Sequence, residues 1–106
     1  CILAVLYSTS VWAEPSAPRE SLVLVGDAGD TDEAFMNRVV AEVTKTARSS
    51  VVFLGDNIYP AGIPDESSSQ FAEAHRRLMV QVKPFLNLSQ RAFFVPGNHD
   101  WADTTA

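Results

Sequence analysis

Apolar positions alternate between two periods along this chain. Ser21-Leu22-Val23-Leu24-Val25 is a short continuous apolar run closed by Gly26, the pattern of a strand buried on both faces. Phe35, Met36, Val39, Val40 and Val43 then recur at three- and four-residue spacing, which predicts an amphipathic helix over 32–48. Asp30-Thr31-Asp32-Glu33 ahead of it resembles a capping box, with Asp30 or Thr31 accepting the first free backbone N–H groups. Val51-Val52-Phe53-Leu54 is a second buried strand, again closed by a glycine, Gly55. Two prolines, a glycine and a serine cluster mark 57–68 as a long loop. A second helix is expected from Ser69 to Val82, with Phe71, Ala74, Leu78 and Val82 facing inward and Pro84 ending or kinking it. Arg91 to Val95 reads as a third strand, followed by Pro96-Gly97. Strand, helix, strand, helix, strand with short connections is the βαβαβ pattern of an α/β fold, so the sheet is expected to be parallel.

Residues 1–13 are apolar and uncharged, and 14–20 form a polar, proline-containing linker. The apolar run is shorter than the roughly 20 residues a membrane span needs. It fits the apolar part of an export signal, with Val11 and Ala13 as the small residues before a cleavage point, and so predicts a periplasmic or secreted protein. The competing reading is a buried first strand built on Ile2, Val5 and Leu6. A lipid-modified Cys1 is a further option that the apolar residues after it make odd. Cys1 stands where a methionine is expected, and Thr104-Thr105-Ala106 brings no closing element. Both features suggest the front part of a longer chain, with residues 21–106 as the first portion of its main domain.

Composition narrows the function. The formal net charge is −5, with eight Lys and Arg against thirteen Asp and Glu, so nucleic acid and anionic lipid are not expected partners. If the substrate is phosphorylated, bound metal must supply the positive charge. The single cysteine allows no internal disulfide and no CxxC site.

Ligands of open parallel α/β sheets bind beyond the carboxyl ends of the strands. Those ends carry Gly26-Asp27-Ala28-Gly29, Gly55-Asp56-Asn57-Ile58-Tyr59 and Gly97-Asn98-His99-Asp100. Each glycine lets the chain turn sharply and aims the next side chain into the crevice. Two carboxylates, an amide oxygen, a phenol and an imidazole thus reach one rim, a donor set for Fe(III), Mn(II) or Zn(II) rather than soft Cu(I). Singly each motif is weak: Gly-Asp is usually a turn, Asn-His-Asp usually a helix start, and Tyr59 alone a packed loop aromatic. The argument rests on all three occurring in order at strand ends.

Together they resemble the first three blocks of the calcineurin-like metallophosphoesterase superfamily. Most of its members begin Asp-X-His, whereas this chain has Asp27-Ala28-Gly29. Purple acid phosphatases share Asp-X-Gly and place a tyrosine three residues after the second aspartate, as Tyr59 follows Asp56 here. The loop from Tyr59 to Asp65 also resembles bacterial members of that branch, and the likeness runs from about Leu22 to Trp101. It implies the parallel-sheet half of a metallophosphoesterase sandwich and hydrolysis of a phosphorylated small molecule or phosphoprotein. It further implies a pair of metal ions, Fe(III) with a divalent Fe, Mn or Zn, which would neutralise the ester and bring bound water to a pKa of about 7. Asp27 and Tyr59 would bind the first metal, Asp56 would bridge both and Asn98 would bind the second. His99 would sit beside the substrate phosphate, stabilising it or protonating the leaving oxygen. Asp100 would orient His99 or cap a following helix.

The family's remaining ligands are three histidines later in the chain. Only His75 and His99 occur here, and His75, between Ala74 and Arg76 in mid-helix, reads as solvent-facing. The chain alone is therefore expected to bind metal weakly, to turn over little, and to expose apolar surface. A degenerate, non-catalytic scaffold is the competing reading. A phosphatase with an aspartate nucleophile would carry two aspartates two residues apart after the first strand, which Asp27-Ala28-Gly29 does not. A dinucleotide-binding domain fails because Gly26–Asp30 lacks the G-x-G-x-x-G spacing.

Overall fold

A computed structural model describes residues 1–8 and 20–101. Its four strands are β1 (Ile2–Ser8), β2 (Glu20–Gly26), β3 (Ser49–Phe53) and β4 (Arg91–Phe94), hydrogen-bonded in that order. The three expected strands are parallel neighbours, with Val23 beside Val51 and Phe53 beside Phe94. The competing reading of the first residues, a strand, is present but not buried as expected: it runs antiparallel to β2, with Leu3 opposite Val25 and Val5 opposite Val23, Val5 half-buried and Ile2 and Leu6 exposed. The sheet is therefore mixed rather than purely parallel. Val11 and Ala13 lie outside the described residues, as does all of the expected linker except Glu20, which opens β2. Among the described residues no helix is long and apolar enough to cross a membrane.

Helix α1 (Glu33–Val43) joins β2 to β3, and α2 (Phe71–Val82) lies between β3 and β4. The cap of α1 falls one residue later than expected, on Asp32, whose carboxylate accepts the Phe35 N–H at 2.8 Å. Asp30 instead ends a short 3-10 turn over Ala28–Asp30. At its other end α1 stops at Val43, short of the expected 48. The Thr44 hydroxyl bonds back to the Val40 carbonyl at 2.7 Å, closing the last turn.

Strict alternation in β2 and β3 sends Val23, Val25, Val51 and Phe53 to one face, all fully buried. Met36, Val39 and Val43 of α1 complete this core, and Val80 of α2 packs against it, so both helices cover the same face. Each such side chain contributes roughly 1.5–3 kcal/mol on removal from water. The inner face of α2 differs from the periodicity. Ala74 is buried as expected, but the fully buried residue near the helix end is Gln81, while Leu78 and Val82 are half-buried. His75 is exposed, stacked on Phe71. The opposite face of the sheet carries Ile2, Leu6 and Phe93, exposed by 67%, 55% and 49%. No described element covers it, so the expected apolar exposure lies there.

Candidate metal centre

The carboxyl ends of β2 and β3 deliver Asp27 and Asp56 to one rim of the sheet. Both aspartates have φ of 53°, in the left-handed region that Asp tolerates better than most side chains. Only the second is preceded by a positive-φ glycine, Gly55 at 114°; at the first turn Asp27 itself takes the unusual conformation. Two non-glycine residues in this state at equivalent strand ends store strain that regular structure does not require, a feature concentrated at functional sites.

Tyr59 closes the space between them. Its hydroxyl donates to Asp27 Oδ1 at 2.9 Å. That hydrogen bond, with partial desolvation and the two nearby carboxylates Asp27 and Asp56, pushes the phenol up to about 12. The backbone holds the ring in place: Gly29 N–H donates to the Asp56 carbonyl at 2.8 Å, and Tyr59 N–H donates to the Gly29 carbonyl at 3.4 Å. A methyl group at position 29 would lie 2.6 Å from Tyr59 Cδ2 and 2.7 Å from the Asp56 carbonyl oxygen. Glycine at 29 and tyrosine at 59 are thus sterically linked.

The third strand end is brought in by the second. Asp56 Oδ1 accepts the His99 N–H at 2.9 Å, and a Cβ at Gly97 would clash with the Asp56 carboxylate and its backbone nitrogen. His99 packs edge-on against Tyr59, ring centroids 4.9 Å apart. Its Nδ1 lies 2.8 Å from the Pro60 carbonyl oxygen. A carbonyl only accepts, so Nδ1 carries the proton and Nε2 is left for other partners. Asn98 is exposed beside His99.

Asp100 does not orient His99, whose imidazole is oriented by Pro60, and a helix that it could cap would lie outside the described residues. The Asp100 carboxylate instead reaches the second loop. Oδ1 accepts the Asn57 and Ile58 N–H groups at 2.7 and 2.8 Å; Oδ2 accepts Asn57 Nδ2 at 2.9 Å and the Gly97 N–H at 2.8 Å. From the other side, Gln81 Nε2 donates to the Asn57 carbonyl at 2.6 Å. Neither Asp100 as a backbone clamp nor Gln81 as its counterpart shows in periodicity. The only signal is that an Asp side chain readily accepts from backbone N–H groups near it, and for Gln81 there is none.

The donor chemistry suits a hard cation. Asp27 and Tyr59 present adjoining oxygens, with the Asp56 carboxylate near enough to raise the phenol, and a cation there would replace the proton that Tyr59 now donates to Asp27. Among the described residues, however, no group of three or more His, Cys, Asp or Glu side chains is placed to hold a metal.

The raised Tyr59 pKa makes a testable prediction. Between about pH 10, the ordinary tyrosine value, and about 12, the folded chain keeps a proton that the unfolded chain has lost. This contribution to stability is complete below pH 10 and vanishes as pH rises through 12. Tyr7 is also shifted up, by its hydrogen bond to Glu42. The measurement is therefore the alkaline absorbance titration of the native chain minus that of Tyr59→Phe, with a difference midpoint expected near 12; a midpoint near 10 would remove the Asp27 contact.

Comparison with models of known families, with characterised proteins and with solved structures returns no match for this chain.

Proposed function

We propose that the rim formed by Asp27, Asp56, Tyr59, Asn98 and His99 belongs to a metal-dependent phosphoester hydrolase of the purple-acid-phosphatase type, an exported protein acting on a phosphorylated small molecule or phosphoprotein. One observation carries the reading: two left-handed aspartates at adjacent parallel strand ends, with a phenol that donates to Asp27 and is held up to about 12 by both carboxylates. Asp27 and Tyr59 would hold an Fe(III), Asp56 would serve it and a divalent Fe, Mn or Zn together, and Asn98 would serve the latter. Bound there, such ions supply charge neutralisation and an activated water. The chain's own residues set the rest. Asp56 Oδ1 is committed to the His99 N–H, which fixes the carboxylate's rotamer. Pro60 holds His99 Nδ1, so proton delivery to a leaving alcohol would come from Nε2 of the imidazolium form.

The absence of a three-residue His, Cys, Asp or Glu group among the described residues favours a second reading, a scaffold that cannot close its site unaided. Two measurements separate them. Titration with Fe(III) is expected to give a visible phenolate-to-iron absorption that Tyr59→Phe abolishes; with no such band, the scaffold reading leads. In a colorimetric phosphomonoesterase assay with added iron, manganese or zinc, the chain alone is expected to show little turnover. Saturable, metal-dependent turnover would mean that these residues suffice.

A further inference from the structure

The second and third strand-end loops hold each other reciprocally. Asp56 of the second loop accepts a backbone N–H of the third, at His99. Asp100 of the third loop accepts two backbone N–H groups of the second, at Asn57 and Ile58, and one of its own, at Gly97. Every hydrogen bond to the Asp100 carboxylate lies within 2.9 Å, and its two oxygens together take four donors, which is close to the capacity of a carboxylate. The backbone of Asp100 is pinned as well. Its N–H donates to the Gly97 carbonyl at 3.2 Å, and its carbonyl group lies so close to Gly62 that a Cβ there would collide with it. Both loops therefore converge on one residue, whose carboxylate is spent on the backbone of Asn57, Ile58 and Gly97 and on the Asn57 amide.

We infer that Asp100 is a positioning residue for the metal centre: through the backbone at Asn57, Ile58 and Gly97 it fixes Asp56 and Asn98 relative to one another. The inference rests on the metal-site reading for its consequence, but the clasp stands on geometry alone. Asparagine is the informative replacement. It keeps the size of the side chain, but one acceptor oxygen becomes an NH2 group facing donors, either the Asn57 and Ile58 N–H groups or Asn57 Nδ2 and the Gly97 N–H. Half of the clasp then turns repulsive, and the second and third loops separate.

Two readouts on the full chain test this. The first is amide hydrogen exchange followed by NMR. In the native chain the N–H groups of Asn57, Ile58, Gly97 and His99 are expected to be protected, and in Asp100→Asn all four are expected to exchange at least tenfold faster. His99 decides the matter, because its N–H is held by Asp56 and not by Asp100; a purely local loss would leave it unchanged. The second is Mn(II) binding measured by electron paramagnetic resonance. Loss of a residue that supports metal ligands typically weakens affinity 10–100-fold, and that range is expected for Asp100→Asn, with Asp100→Glu recovering part of it. Unchanged His99 exchange, or unchanged Mn(II) affinity in a variant whose parent binds it, overturns the proposal. A native chain that takes up no Mn(II) sinks the metal reading instead, and the exchange data still decide the clasp. If Asp100→Asn does not fold, free exchange at Ile58 and Gly97 in the native chain would overturn the proposal by itself.

Discussion

Replacing Phe53 with alanine is expected to cost about 3–5 kcal/mol of stability, the usual range for deleting a buried phenylalanine. Phe53 is fully buried at the end of β3, between two parallel neighbours. Its ring stacks on Phe94 with centroids 4.4 Å apart and planes 1° from parallel, and meets Phe85 edge-on at 6.2 Å. Aromatic pairs of this kind add to simple area burial. The backbone at the same residue is equally committed, since its carbonyl accepts the Val95 N–H at 2.9 Å. A cavity here opens beneath Leu54-Gly55-Asp56, so the site loosens with the core. Small domains have about 5–15 kcal/mol in total, and the variant is expected to be largely unfolded in mild urea where the parent is not. Phe93→Ala is the control. That ring lies on the uncovered face, and its loss is expected to shift the urea midpoint far less. Equal shifts for the two would contradict the assignment of the sheet's faces.

The contrast between Phe53 and Phe93 also marks what the chain discloses before folding. The runs at 22–25, 51–54 and 92–95 are apolar on every position, so they announce strands but not which face is covered. That was decided by both helices packing on one side of the sheet, with Val80 and Met36 meeting the same valines. The first helix was legible because its apolar spacing is regular, and its end was not, because a single hydroxyl at Thr44 stops it. Gln81 breaks the pattern of the second helix for a long-range reason. Its amide reaches the Asn57 carbonyl, so a polar residue takes the buried position that periodicity assigns to leucine or valine. Strand β1 was one of two readings of an apolar, uncharged run, and pairing with β2 places residues 2–8 without bearing on export. At the candidate site the residue types and their order were visible. The left-handed backbone of Asp27 and Asp56 and the clamp at Asp100 were not, because both arise from contacts across loops more than 25 residues apart in some cases, such as Asn57 with Asp100 at a separation of 43.

Gly29→Ala is expected to disable the site while leaving the core intact, the opposite of Phe53→Ala. The added methyl meets three atoms at once: Tyr59 Cδ2 at 2.6 Å, the Asp56 carbonyl oxygen at 2.7 Å and the Tyr59 nitrogen at 2.8 Å. A side chain alone could swing aside, but two of the three obstacles are backbone. The Asp56–Tyr59 segment must therefore move as a unit, and the hydrogen bond from Gly29 N–H to Asp56 stretches with it. Overpacking of this kind costs about 1–3 kcal/mol, which a fold with an undamaged valine and phenylalanine core can absorb. The site cannot absorb it, because the displacement carries Tyr59 away from Asp27. Two spectroscopic results are then expected together. The Tyr59 midpoint falls from about 12 toward the ordinary tyrosine value of about 10, and the Fe(III)-phenolate absorption is lost although Asp27, Asp56 and Tyr59 are all still present. Trimming the ring in Gly29→Ala/Tyr59→Ala removes one obstacle of three, so it is expected to recover only part of the lost stability. A Gly29→Ala chain that kept both spectroscopic signals would show that the loop yields easily, and the steric link between a glycine at 29 and a tyrosine at 59 would have to be abandoned.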